Sequence, residues 1–174
     1  FGFDGSWSFF VNGGIICNWF NHIRGGVDFL FLHLFGNIRE RRIKVQEDQT
    51  DFLLLAKARA HTDYGFTQRY NLFAEAYHVF HGLSITGAYQ FWRHAEDKLT
   101  LTSDLYSTAI ANSAQSLEEW NLHQFFVMLK YNFFCDVPEE SFFNPEIMAW
   151  YRTPVGGKRS IMASAYGLQL TMSF

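Results

Sequence analysis

Residues 158–174 alternate between apolar side chains and small or polar ones. The apolar positions share one parity, and they are Met162, Tyr166, Leu168, Leu170, Met172 and Phe174. The other parity carries Arg159, Ala163, Ala165, Gly167, Gln169, Thr171 and Ser173. Successive side chains of a β-strand point to opposite faces, so this pattern predicts a strand with one apolar face and one small or polar face.

The composition combines many apolar residues with a balanced hydropathy. Aromatic residues make up 19% of the chain, yet the mean hydropathy is only -0.09. A β-barrel in lipid needs this mixture, because its outer face is apolar whereas its interior is polar. The longest apolar runs, residues 29–35 and 125–129, are far shorter than the roughly 20 residues that a membrane-spanning helix needs. Spanning helices are therefore excluded.

Eight segments show alternation with a period of two, and clusters of Gly, Asn, Asp, Ser or Pro separate them. The predicted strands are residues 3–12, 27–36, 51–62, 67–80, 83–93, 98–110, 118–134 and 158–174. A helical alternative remains, because residues 71–80 are rich in helix formers and Ser116 with Glu119 fits a capping box. The spacing of two in Lys57, Arg59 and His61 favours strands.

The final segment, with Tyr166, Leu168, Leu170, Met172 and a terminal Phe174, resembles the insertion signal of Gram-negative outer-membrane β-barrel proteins. The resemblance implies one domain over residues 1–174, folded as an antiparallel transmembrane β-barrel of eight strands or as part of a larger barrel. It also implies the bacterial outer membrane as the location. The partners implied are membrane lipid, lipopolysaccharide and the outer-membrane assembly machinery.

The resemblance also orients the turns, because the last strand would run toward the periplasm. Counting back from it places the turns at His81-Gly82 and at residues 112–117 on the periplasmic side. Residues 13–26, 63–66, 94–97 and 135–157 would face outward. Residues 37–50 are long and highly charged for a periplasmic turn, which departs from the class pattern unless they extend a strand beyond the membrane.

Charged and polar residues on the inward parity of the predicted strands are candidates to line the barrel interior. They are Lys57, Arg59, His61, Arg69, Glu75, Gln90, Asp104, Lys130 and Arg159. An eight-stranded barrel is just wide enough for side chains, so these groups would fill it as a hydrogen-bonded plug. In a wider barrel they would line an aqueous path, and the surplus of Lys and Arg would favour anions.

Three functions are compatible with these patterns. The first is a non-enzymatic barrel that serves as a porin-like passage or as a structural or surface protein. The second is a lipid A-modifying enzyme, with His61, Ser103 and Glu96 or Asp97 near the outer rim. The third is a soluble, lipocalin-like ligand-binding barrel.

Neither a cofactor nor a metal is predicted. His78 and His81 form the one close histidine pair, and positions three apart on a strand point to opposite faces. The formal charge of -3 argues against a nucleic-acid partner.

The two cysteines, Cys17 and Cys135, fall in predicted outer loops that are adjacent in a closed barrel. A disulfide between them is one expectation, and two free thiols are the other. Residues 137–154 contain all three prolines and are predicted to form a surface loop, with a helix starting at Asn144-Pro145-Glu146.

Overall fold

The computed structural model describes residues 6–133 and 144–173, which form an all-β fold with antiparallel sheets. Its strands are β1 (Ser8–Phe20), β2 (Ile23–Leu34), β3 (Asn37–Arg42), β4 (Lys57–Asp63), β5 (Thr67–Phe80), β6 (Leu83–His94), β7 (Lys98–Leu101), β8 (Trp120–Asn132), β9 (Asn144–Lys158) and β10 (Ala165–Ser173). The helical elements are short: 3-10 turns at Asp51–Leu53 and Gln115–Leu117, and helix α1 at Thr108–Asn112. The prediction of an all-β, antiparallel fold is confirmed.

Seven strands form one large sheet in the order β1-β2-β5-β6-β8-β9-β10. Each neighbouring pair is antiparallel. Within the described residues neither sheet closes on itself, so the predicted closed barrel of eight strands is not confirmed. In the described structure β1 and β10 are the two edges of the large sheet.

A second sheet has three strands in the order β3-β4-β7. Each of them continues a strand of the large sheet: β2 leads into β3, β4 into β5, and β6 into β7. Residues 37–63 and 98–117, which we call the cap, therefore extend the large sheet beyond one end. The cap has a buried core of Ile43, Ala60, Leu99 and Ala111, so it packs as a small water-soluble domain does.

The chain runs up and down, which gives the large sheet two distinct ends. The turn end carries the tight turns Asn21-His22 and His81-Gly82. The cap end carries the cap and the turn of residues 159–164 between β9 and β10. Residues 112–117 lie at the cap end, so the prediction that they share a side with His81-Gly82 is wrong. The error comes from counting residues 98–110 as a separate strand across the large sheet, whereas β7 continues β6 into the cap.

The prediction of an outer loop at residues 13–26 is also wrong, because these residues form the hairpin of β1 and β2. The glycines in this segment suggested a turn. In the structure they allow the backbones of two neighbouring strands to approach closely. A Cβ atom at Gly26 would overlap the carbonyl oxygen of Ile15 on β1. Glycine inside a strand commonly marks such an approach.

Residues 144–154 were predicted as part of a surface loop with a helix, and they instead belong to the 15-residue strand β9. Pro145 is the second residue of this strand, and Pro154 lies opposite Gln124, where the β8–β9 register shifts. Proline is tolerated near strand ends and at bulges because no regular ladder hydrogen bond is lost there. Residues 134–143 lie outside the described residues.

Three further predicted strands are shorter than expected. Of residues 158–174, Lys158 ends β9, residues 159–164 form a turn, and β10 covers Ala165–Ser173. Of residues 51–62, the first part forms the 3-10 turn and only Lys57–Asp63 is a strand. Of residues 98–110, β7 covers Lys98–Leu101 and the remainder leads into α1. In contrast, β5 has the predicted bounds, and β6 is one residue longer than predicted.

Replacement of Gly65 by Ala tests the chain segment that connects β4 of the cap to β5 of the large sheet. A Cβ atom at Gly65 would overlap the carbonyl oxygen of Ala95, so the backbone would have to shift. We expect Gly65→Ala to lower the free energy of unfolding by about 1–3 kcal/mol, measured by chemical denaturation. The matched control is Gly87→Ala, because a Cβ at Gly87 meets no atom within 4 Å. Equal stability of the two variants would contradict the described contact between residues 65 and 95.

Candidate functional site

One face of the large sheet gathers polar and charged side chains, and we call it the polar face. The strand register places Arg24 opposite Glu75, and Glu75 opposite Thr86. By the same register the polar face contains Asn18, Arg24, Asp28, Arg69, Asn71, Glu75, Ser84, Thr86, Gln90, Gln124, Lys130, Glu146, Arg152 and Gln169.

Ion pairs connect neighbouring strands across the polar face. Arg24 Nε on β2 lies 2.8 Å from Glu75 Oε2 on β5. Lys130 Nζ on β8 lies 2.7 Å from Glu146 Oε2 on β9. Each pair joins opposite charges on adjacent strands, an arrangement that stabilises antiparallel pairing.

Asp28 on β2 is held by two partners on β5. An Arg69 guanidinium nitrogen lies 2.9 Å from its Oδ1, and Asn71 Nδ2 donates to its Oδ2 at 2.7 Å. The guanidinium of Arg69 also lies over the ring of Trp92, 5.6 Å from its centroid. Together these contacts link three consecutive strands of the sheet.

Gln90 and Gln124 continue the network toward β8. Gln124 Nε2 donates to Gln90 Oε1 at 2.7 Å, and Gln124 is buried. With the ion pairs, this bond gives a ladder of polar contacts from β2 to β9, which we call the charge ladder. Not every polar atom on this face is paired: among the described residues, Arg69 Nε, Asn71 Oδ1 and Thr86 Oγ1 are buried without a hydrogen-bond partner.

The opposite face of the large sheet is apolar and more exposed, and we call it the apolar face. Leu72 on β5 and Val127 on β8 are 58% and 45% exposed, whereas Thr86 and Gln124 on the polar face are 9% and 5% exposed. A sheet packed on an aqueous core shows the reverse distribution. The central strands of the large sheet therefore shield their polar side and present their apolar side, whereas Asn18 and Gln169 on the edge strands are exposed.

A small polar pocket of about 230 Å³ lies on the polar face near the turn end. Arg24, Glu75, His78, Ser84 and Lys130 are among its lining residues. The hydroxyl of Ser84 accepts a hydrogen bond of 3.4 Å from the backbone N–H of His78 rather than from a side-chain base. The pocket is suited to hold a small polar molecule or water, and it does not show the geometry of an activated nucleophile.

The predicted interior residues fall into three groups. Arg69, Glu75, Gln90 and Lys130 lie on the polar face. Lys57, Arg59 and His61 lie on β4 of the cap. Asp104 lies in an exposed turn after β7, and Arg159 forms an ion pair with Glu118 in the turn after β9. As residues lining a lumen, all nine remain predictions.

Sequence reasoning missed several members of the charge ladder. Arg24 was overlooked because it falls in the predicted outer loop of residues 13–26, and Asp28 was not assigned to the interior although it lies in the predicted strand of residues 27–36. Glu146 was overlooked because the adjacent proline indicated a helix. Asn71 and Gln124 share the parity of predicted interior residues on their strands, so the alternation could have identified them.

The residues considered for an enzymatic triad have other hydrogen-bond partners. His61 Nε2 lies 2.9 Å from Asp63 Oδ1. Ser103 Oγ accepts from the backbone N–H of Leu105 at 3.3 Å. Asp97 bonds His94 instead of His61.

His94 and Asp97 belong to a cluster at the junction of the two sheets, which we call the clasp. Thr67 Oγ1 lies 2.7 Å from His94 Nδ1, and His94 Nε2 lies 3.1 Å from Asp97 Oδ1. The backbone N–H of Gly65 donates to the same Asp97 oxygen at 2.6 Å. These bonds connect the segment between β4 and β5 to the segment between β6 and β7. The clasp therefore fixes the cap to the large sheet.

The residues of the proposed insertion signal lie together on the apolar face. Tyr166, Leu168, Leu170 and Met172 on β10 are all exposed, whereas Phe174 lies outside the described residues. Cys17 lies exposed on β1. Because Cys135 also lies outside the described residues, the pairing of the two cysteines remains a prediction.

Among residues 6–133 and 144–173, no three His, Cys, Asp or Glu side chains are grouped so that they could hold a metal ion. Within the same residues, no helix combines the length and the apolar character required to cross a membrane.

Thr67→Val should weaken the clasp, because it removes the hydroxyl bonded to His94 and keeps the side-chain shape. We expect the free energy of unfolding to fall by about 0.5–1.5 kcal/mol, measured by chemical denaturation. Thr100→Val, at an exposed position on β7, is the matched control and should change stability less. If both variants lose the same amount, the hydrogen bond of Thr67 does not contribute specifically.

Glu119, at the cap end just before β8, provides a pH-dependent prediction. Hydrogen bonds from Lys158 and Arg93 hold the pKa of its carboxyl below the ordinary value. A lowered pKa in the folded state stabilises the fold above the ordinary pKa of about 4.3, and this stabilisation is lost as the pH falls through the lowered pKa. We therefore expect Glu119→Gln to be less stable than the wild type at neutral pH.

The stability difference between Glu119→Gln and the wild type should shrink as the pH is lowered below about 4. The measurement is the free energy of unfolding as a function of pH. Glu47→Gln, at an exposed loop carboxyl of the cap, is the control and should follow the wild type. A constant difference for Glu119→Gln at all pH values would contradict the assignment.

A function for the polar face must be inferred from its own geometry. Comparisons of the chain with models of protein families, with curated proteins and with solved structures found no match.

Proposed function

We propose that the protein is an outer-membrane β-barrel protein in which the large sheet forms the barrel wall. Its apolar face contacts lipid, and its polar face lines the interior. The observation that carries the proposal is the inverted burial of the sheet, in which Val127 is exposed and Gln124 is buried on the same strand. In a barrel, lipid covers an apolar face of this kind. Polar side chains lie on the interior face, because the hydrocarbon layer offers them no hydrogen-bond partners.

The lengths of the strands support this proposal. A tilted strand crosses the hydrocarbon layer in roughly 9–11 residues. The central strands β5, β6, β8 and β9 have 14, 12, 13 and 15 residues. Each is long enough to cross the membrane and to reach the interface on both sides.

The difference between the two ends of the sheet also supports the proposal. Outer-membrane barrels have short periplasmic turns and longer extracellular loops. In this protein two tight turns lie at the turn end, together with the end of β10 and the 11-residue connection from β8 to β9, and the cap lies at the opposite end. With the turn end in the periplasm, the charged residues 37–50 lie on the outer side, and the departure from the class pattern disappears.

The strands are staggered along their axes, and a barrel also requires staggered strands. The register connects Cys17 on β1 through Gly25, Ala74, Gly87, Val127 and Tyr151 to Tyr166 on β10. Tyr166 is the second residue of β10, whereas Cys17 lies near the end of β1. The last strand is thus displaced along the strand axis relative to the first, and tilted, staggered strands are the condition for closing a barrel.

Within this class we propose a structural or surface role. The charge ladder pairs each of its cations with a carboxylate on a neighbouring strand, so these side chains occupy the interior as a plug. The cap, with its own buried core, would stand outside the membrane as a folded surface domain. Lipid and lipopolysaccharide would contact the apolar face and the cap, and the assembly machinery would recognise β10.

Solute passage is the second candidate, and the polar pocket of about 230 Å³ is the observation in its favour. The plug interpretation predicts that the wild-type protein adds no sustained conductance to a planar lipid bilayer, because paired charges fill the interior. Glu75→Gln in the wall of the pocket should leave the trace unchanged. Steady wild-type conductance that changes with Glu75→Gln would favour the passage.

Val127→Arg tests the lipid-facing assignment. Val127 lies in the middle of β8 on the apolar face. An arginine on the lipid side near the bilayer centre costs about 2–4 kcal/mol, so we expect a loss of this size in the free energy of unfolding measured in lipid vesicles. In a soluble barrel, an exposed valine would tolerate arginine within about 0.5 kcal/mol.

Leu105→Arg is the matched control for this experiment. Leu105 is 76% exposed in a turn of the cap, so its replacement should change stability by less than about 0.5 kcal/mol. A small effect of both replacements would contradict the membrane assignment and favour the soluble alternative.

A further inference from the structure

We infer that the edge strands β1 and β10 are both paired with one further β-strand of the same polypeptide, which runs from the turn end to the cap end. This inference rests on the proposed barrel and specifies how it is completed. It depends on three properties of the described structure: the composition of the two edges, their direction, and the order of the strands.

The composition of both edges indicates that they are paired in the assembled protein. β1 has 13 residues and β10 has nine, and neither contains a charged residue or a proline. The other strands described each contain at least one charged residue. Proteins that leave a sheet edge open usually protect it with lysine, proline or a bulge, because a long uncharged edge is a template for another strand.

The direction of the edges excludes a direct antiparallel pair between them. Neighbours in the large sheet alternate in direction, and the sheet has seven strands. β1 and β10 therefore both run from the cap end to the turn end. Direct contact would give a parallel pair in a sheet whose other pairs are antiparallel, whereas one strand of opposite direction completes the ladder on both sides.

A second copy of the chain does not supply this strand. In the same membrane orientation it would offer two more edges with the same direction as β1 and β10. The large sheet is an up-and-down meander in which each strand pairs with the strand that precedes it, apart from the inserted cap strands. An added strand from the same polypeptide continues this order.

The edges also define the chemistry of the added strand. It must match the nine residues of β10 that pair with β9. Its outward side chains should be apolar, like Leu168 and Leu170, to continue the apolar face. Its inward side chains should be small or polar, because Gly167 and Thr171 face the interior on β10.

Cysteine crosslinking measures the distance between the two edges. Neighbouring strands lie about 4.8 Å apart, so one intervening strand separates β1 from β10 by about 10 Å. The experiment uses the full polypeptide that carries residues 1–174, with Cys17→Ala and Cys135→Ala, purified and refolded alone in detergent. Val11→Cys is combined in turn with Leu168→Cys, Leu170→Cys and Met172→Cys.

Two matched controls calibrate the distances. Val11→Cys with Phe31→Cys joins adjacent strands and should form a disulfide, because the two residues are directly paired. Val11→Cys with Gln68→Cys spans β2, since Phe31 pairs with Gln68, and should react only with a bifunctional thiol reagent that spans about 10 Å. Gel mobility with and without boiling reports separately whether the barrel is closed.

The expected result is a heat-dependent mobility shift, together with crosslinking of at least one β1–β10 pair by the long reagent and no disulfide. A disulfide between β1 and β10 would overturn the inference and leave the closed barrel intact. A mobility shift without any crosslink would show a wider gap and would also overturn the single added strand. Loss of both signals would overturn the barrel itself.

Discussion

The structure depends on the satisfaction of polar side chains between neighbouring strands of one sheet. Charged groups that are shielded from water are costly unless they are paired. Asp28, held by Arg69 and Asn71, shows how the large sheet meets this requirement without a second layer of structure. Because the shielded face is polar, the apolar residues occupy the other face, where side chains such as Leu72 and Val127 are exposed in the described structure.

The cap differs from the large sheet in where its apolar side chains lie. Its strands continue those of the large sheet, yet Ile43 and Leu99 lie in a buried core, whereas Lys57 and Arg59 on β4 are exposed. The cap and the large sheet meet at the clasp, where hydrogen bonds among Thr67, His94 and Asp97 join them. One continuous set of strands thus contains a part whose apolar face is exposed and a part whose apolar residues form a buried core.

The alternation of side chains predicted some elements well and others poorly. It gave β5 its bounds and β6 nearly so, because both strands lack internal proline and keep a regular period of two. It missed β9, in which Pro145, Pro154 and two adjacent glycines, Gly156 and Gly157, indicated a loop. Such signals describe local preference, whereas pairing with β8 on one side and β10 on the other decides whether the segment becomes a strand.

The sequence by itself determined the all-β fold and the separation of apolar from polar side chains, because both follow from the parity of residues along a strand. Tertiary structure alone decided which strands are neighbours, and therefore that Arg24 meets Glu75 and that Lys130 meets Glu146. It also decided which face is shielded, because parity separates two faces without stating which one is turned toward solvent. Long-range register, which joins residues 51 positions apart in the case of Arg24 and Glu75, has no counterpart in local sequence.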